Sequence, residues 1–331
     1  MGAAPGRTAT AMPRDALIAI GGGLMSAVAA VAFLGGSAMA LMLVYFAPIP
    51  LLMVGFGLGP RAATIAAAIG FFATGLFGGA MIAGFYGFIH ALPAWTIVML
   101  VMRKDEAQEE RKGDGWQSPG TALSAIALLG GGALLAVSLG VGDGGLEGLI
   151  AAHLDSAFAG MAPNMGADDR AEFVAVLTPV FPGALGASWV AMTVVNGVIA
   201  QGFMVRMGRN LRPSPLYADL ALPNWASWPL VIAAAAALAG SGLGYGELGY
   251  VGRNLAMVFA APYFFLGLAV VHTLARRVAF TGPVLVALYM VILVSGWAAV
   301  VVAGIGIAEQ WVGLRHRAPN GNGDAGPENE A

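Results

Sequence analysis

Nine apolar stretches, each close to twenty residues long and free of Asp and Glu well inside, occupy most of this 331-residue chain. A helix of about 20 such residues, rising 1.5 Å per residue, spans the hydrocarbon core of a bilayer. The stretches run Ala16–Gly35, Ser37–Phe56, Ala62–Gly79, Ala80–Met102, Thr121–Val141, Gly183–Val205, Ala226–Leu243, Leu255–Leu274 and Pro283–Ile307. They predict an all-α, polytopic transmembrane helix bundle of eight or nine hydrophobic segments. The first begins too far in, and lacks a small-residue cleavage site, to be a removed signal peptide.

Composition supports this reading by exclusion. Only 10% of residues are charged against 58% hydrophobic, too few charges to cover a water-soluble surface. A net charge of -2 argues against a nucleic-acid partner, and the absence of cysteine excludes disulfides, iron–sulfur clusters, thiolate zinc and a cysteine nucleophile.

Basic residues set the orientation, because Lys and Arg are retained on the cytoplasmic side. Arg7 and Arg14, Arg61, the Arg103/Lys104/Arg111/Lys112 group, Arg206/Arg209/Arg212 and Arg276/Arg277 all fall on one face if the N-terminus is cytoplasmic. The other face carries Arg170 and Arg253 against Asp143, Glu147, Asp155, Asp168, Asp169, Glu172 and Glu247. The ninth segment reads two ways: one long tilted helix, or a helix that breaks near Gly296–Trp297 or Gly304 and folds back. The second keeps Arg315 and Arg317 inside and suits the charge rule better.

The chain therefore divides into a cytoplasmic tail (1–15), a single transmembrane domain (16–311) and a disordered, Gly/Asn/Pro/Glu-rich tail (312–331). Two polar inserts belong to the domain: a charged cytoplasmic loop over 103–120 and an external amphipathic insert over 142–182. Leu146, Ile150, Leu154, Phe158 and Met161 form one helical stripe of the insert, and Phe173, Leu177, Val180 and Phe181 a second. The insert reads either as helices lying on the outer leaflet or as a lid over a pocket.

Small residues at four-residue spacing let helices approach closely in lipid. Span one carries two such ridges, Ala19/Gly23/Ala27 and Gly22/Ser26/Ala30, and Gly23 and Ala27 mark either internal packing or a face for a partner protein. Asn254 sits where it can cap the start of span eight.

Recognisable chemistry is scarce. Asp15, Glu247 and Glu309 lie at segment ends, so no intramembrane carboxylate marks a proton or cation pathway. No H-E-x-x-H, G-x-S-x-G or P-loop is present, Gly186–Ala187–Ser188–Trp189 lacks the glycine an intramembrane serine protease needs after the serine, and His90, His153, His272 and His316 are too scattered for a metal site. The reading assigns no catalytic residue, metal or cofactor. An enzyme acting on a lipid-linked substrate through His153, Asp155, Asp168 and Arg170 is kept as a minor alternative.

What remains is a set of prolines and uncharged polar residues within spans. Proline frees a carbonyl one turn back, and interrupted helices often flank transporter binding sites. Pro48 and Pro50 are expected to break span two, Pro93 span four and Pro262 span eight. Tyr86 and His90 share a face of span four, Trp189, Thr193 and Asn196 one stripe of span six, and Tyr263 adjoins Pro262. These six residues read either as structural hydrogen-bonding groups or as a ligand pocket between spans four, six and eight. His90 is the foremost candidate, since it can meet a ligand or the carbonyls freed at Pro93.

Ala47–Pro48–Ile49–Pro50 with Gly57–Leu58–Gly59–Pro60–Arg61, Arg209–Asn210–Leu211–Arg212–Pro213–Ser214–Pro215, and Gly252–Arg253–Asn254–Leu255 leading to Phe265–His272 resemble the alphaproteobacterial branch of the YybS-like membrane proteins, a domain-of-unknown-function family (family 2232). That group has a more distant similarity to the substrate-binding components of energy-coupling-factor vitamin transporters. The resemblance implies a multi-pass bacterial inner-membrane protein that captures a small molecule, with a separate coupling membrane protein and ATPases as partners beside the membrane lipids. It carries over no ligand residue, and this chain departs from it in segment number and in its long insert. The rival expectation is a non-transport membrane scaffold or cell-envelope assembly factor.

Overall fold

The computed structural model describes residues 14–104, 115–142, 144–278 and 280–317. Expectations for residues 1–13 and 318–331, for most of the charged loop over 103–120 and for Asp143 lie outside these residues, whereas the described start of the C-terminal tail, expected to be disordered from 312, contains a short helix at Leu314–Arg317. Among the described residues the fold is all-helical, with one isolated bridge between Lys104 and Trp116. The helices are α1 (Arg14–Val31), α2 (Ala38–Tyr45), α3 (Pro48–Leu58), α4 (Pro60–Tyr86), α5 (Leu92–Val101), α6 (Pro119–Gly140), α7 (Gly145–Met161), α8 (Ala167–Leu177), α9 (Phe181–Arg206), α10 (Ser227–Leu243), α11 (Gly246–Ala275), α12 (Thr281–Val294) and α13 (Gly296–Val312), followed by the short α14 (Leu314–Arg317). The chain forms two compact units, Met1–Pro215 with Leu222–Ala261, and Leu216–Ala221 with Pro262–Ala331.

Among the described residues, seven continuous helical runs are long and apolar enough to cross a membrane, one of them the 42-residue run Pro60–Val101. That run is two spans. Gly79 leaves the helix at φ +80° and ψ 176°, a conformation open in practice only to glycine. Gly75 then packs on Ala83, Phe71 on Gly87, and Trp95 donates to Thr64 at 3.0 Å, a strictly antiparallel order. A similar reversal occurs at Gly59 (φ +91°). Gly22 abuts Val54 of α3 while the adjacent Gly23 abuts Ala66 and Gly70 of α4, which a straight continuation could not achieve. Segment α3 and the stretch ending in α5 therefore run in the same direction, with the first half of α4 opposed to both.

Helix ends in the first unit segregate into two sets. At one, Leu211 donates its N–H to Phe56 O (3.0 Å), Arg212 Nη1 donates to Val101 O (2.6 Å), and Lys104 and Arg212 lie over the Trp116 ring. The other is organised by the first turns of α11. Glu247 Oε1 accepts the Leu146 N–H at the start of α7 (2.8 Å), Tyr250 donates to Thr178 O (2.8 Å), Arg253 to Pro179 O (3.2 Å), and Asn254 Oδ1 accepts the Gly183 N–H at the start of α9 (2.8 Å). Asn254 lies inside α11, so it caps a neighbouring helix and not its own, as the sequence suggested. Glu247, Tyr250 and Asn254 recur at three- and four-residue spacing, so one face of α11 holds both ends of the insert over 142–182. Around it Leu146, Tyr250 and Val251 form a buried apolar cluster.

In the second unit, the ninth apolar segment breaks at Ser295 into α12 and α13, of 14 and 17 residues, both shorter than the candidate spans of the rest of the chain. A methyl on Gly267 would overlap the Val302 carbonyl, and one on Gly306 the Tyr263 carbonyl, so α11 and α13 cross backbone to backbone. Buried Glu309 receives the Arg315 backbone N–H (3.0 Å) and Nε (2.7 Å), while the Arg315 guanidinium donates to the carbonyls of Ala218 and Leu220 (2.8 Å to the latter). The end of α13 therefore lies beside Leu216–Ala221, in the loop after span six. Tyr217 in that loop donates to Phe265 O at 3.2 Å, and burial, with Tyr289 nearby, pushes its phenol well above the ordinary tyrosine range.

Pro262, expected to break span eight, sits within an uninterrupted α11.

Candidate functional site

Span two breaks where its prolines require. Pro48 and Pro50 have no N–H to offer, α2 stops at Tyr45, and α3 starts at Pro48. The Ile49 N–H turns to Phe46 O (3.0 Å), which leaves the Tyr45 carbonyl without its usual intrahelical donor. Inside a bilayer such a carbonyl must be met by protein. Asn196 of α9 meets it, donating Nδ2 to Tyr45 O at 2.9 Å and to Met192 O at 3.0 Å. Ser26 of α1 donates to Ala47 O at 2.7 Å and itself receives the Tyr86 hydroxyl at 2.9 Å. Helices α1 and α9, with α4 behind α1 through Tyr86, thus converge on the carbonyls of Tyr45 and Ala47 at the break.

His90 lies on the same framework. It sits in a π-helical turn, Gly87–Ala91, just before Pro93, with its ring centroid 5.9 Å from that of Tyr86. Widened turns of this kind are frequent at functional sites. Gly55 packs against Val98, and Ala47 and His90 each precede those residues by eight positions on parallel segments. Both therefore lie about 12 Å along the bundle from that contact, at one depth. The carbonyl freed by Pro93 is that of Ile89, and it is bound by the Trp189 indole (3.0 Å), not by His90. Trp189 also stacks on Phe88 (5.6 Å between centroids, 7° between planes).

His90 is 4% exposed and its Nδ1 has no hydrogen-bond partner; Asn196 is fully buried and its Oδ1 has none either. An unmatched buried polar group costs about 1–3 kcal/mol. Ser124 Oγ on α6 and Thr178 Oγ1, beside the first turns of α11, are likewise unmatched. The layer at the break contains hydroxyls, an amide, an imidazole and backbone carbonyls. No Asp, Glu, Lys or Arg stands among them.

Of the six expected pocket residues, the structure joins Tyr86 and His90 directly, and Asn196 to the same break. Trp189 and Thr193 extend the Asn196 stripe, with Thr193 donating back to Trp189 O at 2.9 Å. Tyr263 belongs to the second unit, where its carbonyl faces Gly306. Ser26 and the carbonyls of Tyr45 and Ala47 complete the site and were not singled out by sequence, although two prolines two residues apart announce carbonyls in need of donors. An open apolar groove of about 550 Å³ lies beside the break, lined by Leu24, Met25, Val28, Leu43, Phe46 and Pro50 among others. None of the six expected pocket residues lines it.

Gly23 and Ala27 are consumed by internal packing. Gly23 lies against Ala66, Ile69 and Gly70, Ala27 is buried, and the second ridge, Gly22/Ser26/Ala30, is buried too. In the insert over 142–182 Arg170 Nε pairs with Asp155 at 2.7 Å and His153 Nδ1 bonds Leu149 O at 2.8 Å, so these groups are engaged separately. Among the described residues no group of three or more His, Asp or Glu side chains is placed to hold a metal.

Comparison with curated proteins and with solved structures gives no match. A family model does match, over residues 24–309, which takes in the broken helix, the His90 turn, the insert and both final helices. The chain belongs to the family described as predicted membrane protein DUF2232.

Proposed function

We propose that this protein is a small-molecule substrate-binding or permease-like transport component of the bacterial inner membrane, without catalytic residues or an ATPase of its own. The observation that carries the reading is the break at Tyr45–Pro48, held by Ser26 and Asn196, with His90 Nδ1 and Asn196 Oδ1 buried and unmatched around it. Interrupted helices with free polar groups near mid-membrane are the usual form of a transporter site. A ligand supplying hydrogen bonds to both atoms would remove two unmatched groups at once. It would be uncharged, because nothing at that depth compensates a net charge. The similarity to substrate-binding components of energy-coupling-factor transporters enters as part of this proposal and supplies the coupling partner.

Affinity purification of the full chain from native membranes in gentle detergent, followed by mass spectrometry, tests it. Stoichiometric recovery of a coupling membrane protein with ATPases is the expected result. Recovery of the chain alone, or with a cell-envelope assembly protein, overturns it. The scaffold alternative has less to stand on, since the Gly23/Ala27 ridge that would recruit a partner is occupied by α4.

A further inference from the structure

The second helix of the external insert, α8, has three distinct sides. Arg170, Val174, Leu177 and Thr178 are partly or wholly covered by protein, and Ala171, Glu172 and Ala175 are open on another side. The third side is apolar and only partly covered: Phe173, whose ring centroid lies 6.1 Å from that of Phe158 in α7, is 52% exposed, Val176 67%, and Val180, beyond the helix end, is also exposed. At 100° per residue these three fall within an arc of about 60°.

Two observations identify what covers this edge. Three residues, Thr178–Val180, separate α8 from the membrane-spanning α9, and the backbone of Thr178, Pro179 and Gly183 is fixed to α11 by Tyr250, Arg253 and Asn254. The helix is therefore anchored at the mouth of a span and cannot rise far from it. The edge also runs on through Val180 towards Leu185, which is exposed on α9, a helix long and apolar enough to cross a membrane. The edge is thus continuous with the exposed surface of that helix.

We infer that α8 lies in the bilayer interface on the face opposite the basic loops, with Phe173, Val176 and Val180 in the acyl region and Glu172 and Asp168 in water. The partner is a lipid surface engaged by apolar insertion and not by charge, because the helix carries three carboxylates, and its one cation, Arg170, is already paired with Asp155. Asp169, one turn before Phe173, folds its carboxylate back towards Gly166 at the helix start, away from the apolar edge. A hinged lid over the bundle is the arrangement this excludes.

The chain contains no cysteine, so V176C and A171C variants of the full protein each take a single nitroxide label without further engineering. Both positions are exposed, and a melting curve for each confirms that the fold is kept. In phosphatidylcholine vesicles, the V176C label is expected to collide more with oxygen than with a water-soluble nickel chelate, at a depth of about 5–10 Å, and the A171C label the reverse. Addition of anionic lipid is expected to leave both unchanged. Equal access of the chelate to both labels overturns the inference by placing the helix in water. Shielding of the V176C label from both reagents overturns it by placing the edge against protein.

Discussion

The side-chain oxygen of Asn254 accepts the backbone N–H of Gly183 at 2.8 Å, across 71 residues of sequence. A polar side chain inside one membrane helix thereby caps the start of another, where Val180 supplies no side-chain cap and Pro182 has no N–H. The same amide donates to Pro179 O (3.1 Å) and Tyr250 O (2.9 Å), so both its donors and its acceptor oxygen are engaged at a buried position.

N254A should consequently lower the apparent melting temperature of the detergent-purified protein. It leaves the Gly183 N–H unmatched in a buried setting, a loss of about 1–3 kcal/mol. R253A removes a longer, more exposed bond to the same carbonyl and should have the smaller effect. Equal melting curves for N254A and the unaltered protein would show that the cap contributes nothing.

This relationship also marks the limit of what the residues disclose in order. Segment positions were legible because twenty apolar residues in a row have one economical structure in lipid, and the turn between spans three and four was legible because Gly78–Gly79 falls between two full lengths. Asn254 was recognisable as a cap, but the helix it caps could not be known before the bundle was assembled. Pro262 and Pro48 look alike in sequence. One sits within a continuous helix, and the other coincides with a break because a second proline two residues on removes a second donor. His90 and Asn196 were legible as unusual, while their convergence on Tyr45–Ala47 depends on the reversals at Gly59 and Gly79. Arg315 and Glu309 were read as charges at a chain end, and only the course of α13 brings them to Ala218 and Leu220.

Packing of α1 on α4 makes a second prediction. A methyl at Gly23 would meet the Ala66 carbonyl and the Ile69 side chain, whereas one at Gly21 meets nothing within 4 Å. G23A should force the helices apart and destabilise the protein by about 1–3 kcal/mol, and G21A should be neutral. Thermal melting of the two variants side by side checks this. Unchanged stability of G23A would reopen that ridge as a surface available to a partner.

The end of α13 beside Leu216–Ala221 predicts membrane sidedness. Single cysteines introduced as L216C and W311C should react with an impermeant maleimide from the same side of sealed vesicles, the side that carries Arg206, Arg209, Arg276 and Arg277. L293C, next to the Ser295 break, should react from neither. Labelling of L216C and W311C from opposite sides would mean that the last two helices together cross the bilayer.

His90 separates stability from function. Its Nδ1 is buried without a partner, so replacing the ring by an apolar side chain of similar bulk removes an unmatched group and makes none. H90L should therefore melt at the same temperature as the unaltered protein or higher. Asn196 differs, because its Nδ2 holds the carbonyls of Tyr45 and Met192, and N196A should melt lower as those carbonyls lose their donor. If the break is a binding site, H90L retains the stability and the purified partners of the parent and loses the function the chain performs in its membrane, a pattern that a purely structural histidine cannot produce. A lower melting temperature for H90L would instead show that the imidazole holds the fold together at this position.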